Sequence, residues 1–116
     1  MKLLSPVDQL FLWLEKRQQP MHVAGLQIFS LPDGAPDDYV RSLANFLREQ
    51  HDVSPPFNQR LGLNFGRYCW KEDRRLDLEH HFRHEALPQP GRIRELLARV
   101  SAEHSNLLDR ARPLWQ

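Results

Sequence analysis

The sequence predicts an α/β fold, a mixed sheet with flanking helices. Apolar residues recur at helical spacing in three stretches, beginning near Ser5, Pro36 and Gly91. Other segments are extended in pattern, with apolar residues on both faces or on alternate positions, as in buried and half-buried strands. Nine prolines against five glycines make the connections stiff. A length of 116 residues suits one small domain or one part of a larger one.

Ser5 is a good N-cap, Pro6 fits the first helical position, and Asp8 stands three residues on, as in a capping box. Val7, Leu10, Phe11 and Leu14 then mark a helix expected to fade near Arg17. Leu12 and Trp13 widen its apolar surface beyond one stripe, so it is either covered on several sides or docks on something else. Met21 to Phe29 reads as a strand with two apolar faces, and His22 falls on one of them. A turn over Ser30–Pro36 leads to a helix over about Pro36–Gln50, with Val40, Leu43, Ala44 and Leu47 as its buried stripe.

Pro55-Pro56 forbids helix and favours an extended chain. Leu61, Leu63 and Phe65 alternate, as do Tyr68 and Trp70. Gly62, Asn64 and Gly66 supply turn chemistry, so Phe57–Glu72 reads as a short hairpin. Lys71–Arg75 is a solvated charge run. Leu76–Leu87 reads as a strand with Leu78, His80, Phe82, His84 and Ala86 on one face and His81, Arg83 and Glu85 on the other. After Pro88-Gln89-Pro90-Gly91, a helix is expected to about Ser105, burying Ile93, Leu96, Leu97, Val100 and His104 and pairing Glu95 with Arg99. Pro113 can open a new strand but not sit deep within a central one.

Composition narrows the function classes. The formal net charge is +1, which gives no electrostatic case for nucleic acid. The single Cys69 excludes an internal disulfide framework and suits a reducing compartment. Asp8 interrupts the apolar start too early for a signal peptide, and no window reaches the ~20 apolar residues of a membrane span.

The histidines invite three readings. On a helix His80 and His84 would share a face and could hold zinc, but on a strand they lie roughly 13 Å apart, and no Cys or carboxylate completes a tetrahedral set. A histidine base would need an orienting partner. HHFRHEA superficially matches HHxxxDG, with Glu85 for the acid but Ala86 for the glycine. The third reading, half-buried sheet positions with satisfied rings, fits the alternation. Sequence alone does not assign roles to His22, His80, His81 and His84, and no metal site is expected.

Several segments, taken in order, resemble the bacterial wax ester synthase / acyl-CoA:diacylglycerol acyltransferase family, including enzymes of marine oil-storing bacteria. They are Ser5-Pro6-Val7-Asp8 with Phe11-Leu12-Trp13-Leu14-Glu15; Pro20-Met21-His22-Val23 with Gly25-Leu26; and Phe57-Asn58-Gln59-Arg60-Leu61. Asp77-Leu78-Glu79-His80-His81 through Leu87-Pro88, Pro90-Gly91 with Leu96-Leu97, and Leu108-Asp109-Arg110 with Arg112-Pro113-Leu114-Trp115 follow. The resemblance implies a chloramphenicol-acetyltransferase-like fold, of which residues 1–116 are the N-terminal portion. It implies transfer of a fatty acyl group from acyl-CoA, as a substrate and with no cofactor, to a long-chain alcohol or diacylglycerol. It makes Pro113, Leu114 and Trp115 the family's PLW motif, a structural or substrate-channel element. The family's HHxxxDG lies downstream of PLW, so no catalytic residue is expected within this chain, and the C-terminal part of the same enzyme becomes its partner. Gln116 stands where the family usually has Glu, and nothing in the sequence explains the change. The expected location is cytoplasmic, with peripheral contact to the inner membrane or lipid inclusions. The competing class is a non-catalytic interaction module that docks a partner through its apolar first helix.

Overall fold

The computed structural model describes residues 1–50 and 52–116. A β-hairpin organises it. β2 (Gln59–Asn64) and β3 (Arg67–Glu72) pair antiparallel, with Gln59 opposite Glu72 and Asn64 opposite Arg67. Phe65 and Gly66 connect them at φ 48° and 77°. Two positive φ angles in a two-residue loop give a type I′ turn, whose twist matches the strands it joins. The expected hairpin is therefore present. A further strand, β1 (Lys2–Leu3), pairs with the other side of β3, giving the order β1-β3-β2. Two residues are too few to show alternation, so this strand has no signature in the sequence. Leu4 follows, buried, its amide donating to the Tyr68 carbonyl at 3.2 Å.

α1 (Pro6–Leu14) begins as expected. Ser5 Oγ accepts from the Asp8 amide at 3.1 Å and donates to the Asp8 carboxylate at 2.7 Å. The carboxylate thus takes the cap hydroxyl rather than the Ser5 amide of a capping box. The helix stops three residues before Arg17, because Lys16 and Gln19 close a tight turn with reciprocal backbone bonds. α2 (Tyr39–Arg48) starts three residues after Pro36, and α4 (Ile93–His104) falls inside the expected span. Their stripes are less covered than periodicity implied. Ala44 is buried, but Val40, Leu43, Leu47, Ile93, Leu97 and His104 remain exposed.

Two expected strands are not formed. Met21–Phe29 carries no ladder, since no strand among the described residues lies beside it to pair. Leu76–Leu87 is replaced by one helical turn, α3 (Leu78–His81), and irregular chain. Asp77 accepts from the Glu79 amide at 3.1 Å, a local side-chain bond that competes with extension. The outer edge of β2 is meanwhile met by Pro113, which forms a single bridge to Arg60. The helical turn reverses the histidine faces. His81, expected opposite the apolar row, is 2 % exposed, whereas His80 is only half-buried and His84 is exposed.

The described structure is flat and open. Its radius of gyration is 17.2 Å and its extents are 55 × 33 × 18 Å, against roughly 13 Å of radius for a compact domain of this length. Its accessible surface is 9726 Å², where a globular monomer of this mass shows about 6600 Å². Many large apolar side chains are among the exposed residues. Val23 is 94 % exposed, and Leu10, Phe11, Trp13 and Leu14 of α1 are all exposed.

Candidate functional site

α1, the unpaired Met21–Phe29 segment, α4 and the C-terminal residues surround a cleft of about 1400 Å³. Phe11, Leu26, Ile28, Leu96, Val100 and Leu114 supply apolar walls, and Arg83, Glu85 and Arg99 supply charge. Such a volume exceeds the ~300–1000 Å³ usual for small-molecule pockets.

The C-terminal end of the cleft is built on the PLW residues. Pro113 is buried, with Leu114 and Trp115 half-buried. Trp115 is held at both ends. Its indole Nε1–H donates to the Phe57 carbonyl at 2.7 Å, and its own carbonyl accepts from His81 Nδ1 at 2.7 Å. A carbonyl only accepts, so the proton of His81 sits on Nδ1. The imidazole also stacks on the indole, with centroids 4.4 Å apart and planes at 22°. Phe57 meets the same indole edge-on at 6.0 Å. α3 delivers His81 to this place because Asp77 caps its single turn. His80 lies edge-on to His81 at 5.0 Å. Burial of the ring, then the Arg112 guanidinium, holds the His80 pKa below its ordinary value.

A second polar cluster ties the end of α1 to the chain leading into PLW. The Glu15 side chain is 12 % exposed. It accepts from the Met21 amide at 3.1 Å and from Arg110 at 3.3 Å. The same guanidinium donates to the Leu12 carbonyl at 2.7 Å, satisfying a carbonyl left free near the helix end. His22, expected on the face of a strand, instead donates from Nε2 to the His104 carbonyl at 2.8 Å, and its Nδ1 stands 4.0 Å from Glu15. Arg99 does not pair with Glu95 as the helical spacing suggested. It makes two 2.6 Å bonds to Glu85 and a further ion pair with Glu103. The hydrogen bonds from Arg99 lower the Glu85 pKa. Helical spacing cannot reveal Glu15–Arg110 or Glu85–Arg99, because both pairs join distant parts of the chain.

The hydrogen bonds at this end of the cleft tie side chains to the backbone. The two histidines with close ring bonds, His22 and His81, both donate to backbone carbonyls. Cys69, the one thiol, is buried within β3. Among the described residues, no three of His, Cys, Asp and Glu converge as a metal would require. No helix of the described residues is long and apolar enough to cross a membrane.

Comparison with known proteins places this arrangement. Residues 4–116 match the family described as the wax ester synthase/diacylglycerol acyltransferase catalytic domain. An O-acyltransferase WSD of Acinetobacter baylyi is 57% identical over 116 residues, which are 99% of this chain and 24% of that one. A probable diacylglycerol O-acyltransferase of Mycobacterium tuberculosis is 41% identical over 119 residues, covering 100% of this chain and 26% of the relative. Among solved structures, the wax ester synthase/diacylglycerol acyltransferase from Marinobacter aquaeolei VT8 superposes with a TM-score of 0.94 at 69% identity. That match covers 97% of this chain and 28% of the other. The chain therefore spans about a quarter of the length of the relatives it matches, at their N-terminal end. The α/β assignment stands, since the Marinobacter structure has a CoA-acyltransferase-like fold.

Proposed function

The chain belongs to the wax ester synthase/diacylglycerol acyltransferase catalytic-domain family, and from that premise we propose that it is the N-terminal portion of an O-acyltransferase. The proposed reaction moves a fatty acyl group from acyl-CoA to a long-chain alcohol or a diacylglycerol. A histidine of an HHxxxDG segment, carried on the C-terminal remainder, takes the acceptor's hydroxyl proton. The alkoxide oxygen bonds to the thioester carbonyl carbon, the C–S bond breaks, and the coenzyme A thiolate recovers the proton. Transfer is direct, so residues 1–116 need supply no nucleophile. Their part is to wall the cleft and to fix the PLW residues from which the chain runs on to the base. The protein works in the cytoplasm, at the surface of membranes or lipid inclusions that hold its water-insoluble substrates.

The observation that carries this reading is the match over residues 4–116, joined to a surface about 3100 Å² larger than a closed domain of this mass would show. That surface is what a remainder of the polypeptide would cover. The test is to express residues 1–116 alone and together with the remaining three-quarters of the Marinobacter relative. Alone, the chain should bind a hydrophobic dye and show no turnover of radiolabelled acyl-CoA with hexadecanol or a diacylglycerol. Together, dye binding should fall and ester should form. Turnover by the isolated chain would place the base within residues 1–116 and refute the proposal. The exposed apolar residues of α1 favour a second reading, a free-standing interaction module. A sharp thermal transition from an isolated monomer that binds no dye would select it.

A further inference from the structure

Among the described residues, His81 is the one buried polar side chain. Its ring stacks on the Trp115 indole, a contact that a phenylalanine could make as well. Only the Nδ1–H requires a histidine here. Burying such a group is costly unless it finds an acceptor, and it finds the Trp115 carbonyl at 2.7 Å, 34 residues away in the chain.

That carbonyl is a particular place to hold. A peptide unit is planar, so fixing the oxygen fixes the plane of the bond from Trp115 to Gln116. The rest of Trp115 is held by other groups. The indole Nε1–H donates to the Phe57 carbonyl, and the Trp115 amide donates to the Pro113 carbonyl at 2.9 Å. Pro113 in turn bridges to Arg60 on β2. Those contacts place the ring and the chain before it. Among the described residues, His81 alone meets the carbonyl that faces the next peptide. The helical turn that carries His81 is braced against the same stretch, since Asp77 stands 3.5 Å from the Arg112 guanidinium.

We propose that His81 is a positioning residue for acyl transfer. By holding the Trp115 carbonyl, it sets the direction in which the chain leaves the PLW residues for the segment that carries the base. This rests on the O-acyltransferase reading above. His81 touches no reacting atom in this role. A base must stand within hydrogen-bond reach of the acceptor hydroxyl, and a displacement of about 1 Å can cost about a hundredfold in rate. Binding of acyl-CoA does not depend on that distance, so the loss falls on kcat.

The test uses residues 1–116 assembled with the remainder of the Marinobacter relative, assayed with radiolabelled acyl-CoA and hexadecanol. His81→Phe keeps an aromatic ring beside the indole and loses the donor. Its kcat should fall by about ten- to a hundredfold, with KM for acyl-CoA within about twofold of the original. His81→Asn carries an N–H the same number of bonds from Cα as Nδ1, and should recover most of that loss. The deficit of His81→Phe should persist when the assay is cooled well below the melting temperature. A merely structural role would let it vanish there, because every molecule is then folded. A His81→Phe protein with kcat within about twofold of the original would overturn the proposal. So would a loss confined to KM, a deficit that disappears on cooling, or a His81→Asn protein no better than His81→Phe. A His81→Phe protein without a cooperative thermal transition would also overturn it, by showing that the bond holds the fold itself. No ester from the unaltered assembly would overturn the acyltransferase reading and this inference with it. Ester formed equally by the unaltered assembly and by His81→Phe would overturn this inference alone.

Discussion

His81→Ala should be the most damaging single change among the polar residues of this chain. The ring is 2 % exposed and makes two kinds of contact with Trp115. Removing the Nδ1–H leaves the Trp115 carbonyl without that partner. A buried acceptor left unpaired costs about 1–3 kcal/mol. Removing the ring also ends the stacked contact, worth about 0.5–1.5 kcal/mol for an aromatic pair. Together a loss of roughly 2–4 kcal/mol is expected. The assembled protein is about four times longer than this chain, so with a urea dependence of at least about 3 kcal/mol per molar the midpoint should fall by up to about 1.3 M. The assay is urea unfolding of the chain assembled with a C-terminal remainder, followed by tryptophan fluorescence. Two further variants separate the contributions. His81→Phe keeps the stack and loses the donor, while His81→Asn keeps a donor and loses the stack, so each should fall between His81→Ala and the unaltered protein. A His81→Ala midpoint within about 0.5 kcal/mol of the original would refute the reasoning. It would show that the indole bond to the Phe57 carbonyl holds Trp115 unaided.

Ser5→Ala should cost about 1 kcal/mol, since the hydroxyl is the acceptor for the Asp8 amide; an unchanged urea midpoint would remove Ser5 from the cap. His80 has its pKa lowered below 6.5, first by burial and then by Arg112. The unfolded chain therefore binds the proton more readily, stability rises with pH, and the contribution present above 6.5 is lost as pH falls through the lowered folded value. His80→Gln should flatten the stability profile on the acid side of 6.5, and a profile that keeps its slope would rule His80 out as the source. Chelation should leave the melting temperature unchanged, because no ligand trio converges among the described residues. Stoichiometric zinc with a melting loss on its removal would contradict this.

Much of this chain was legible because the governing physics is local. Ser5-Pro6 with Asp8 satisfies amides within one turn, so α1 begins where the sequence places it. Asn64-Phe65-Gly66 between alternating residues makes a hairpin whose register follows from the two-residue turn. The helical periods near 39–48 and 93–104 were likewise readable, to within a few residues at each end. The ordered motifs from Ser5 to Trp115 also carried the family.

Tertiary structure decided the rest. Met21–Phe29 has the pattern of a buried strand, but a strand exists only when a neighbour accepts its backbone bonds, and none of the described residues does so. Leu76–Leu87 alternates like a strand, yet the Asp77 cap turns its start into a helix. That turn brings His81, rather than His80, under Trp115. Glu15–Arg110 and Glu85–Arg99 join residues far apart in the chain, where no spacing rule applies. Periodicity tells a residue which way to face, and only the assembled neighbours determine whether anything lies on that side.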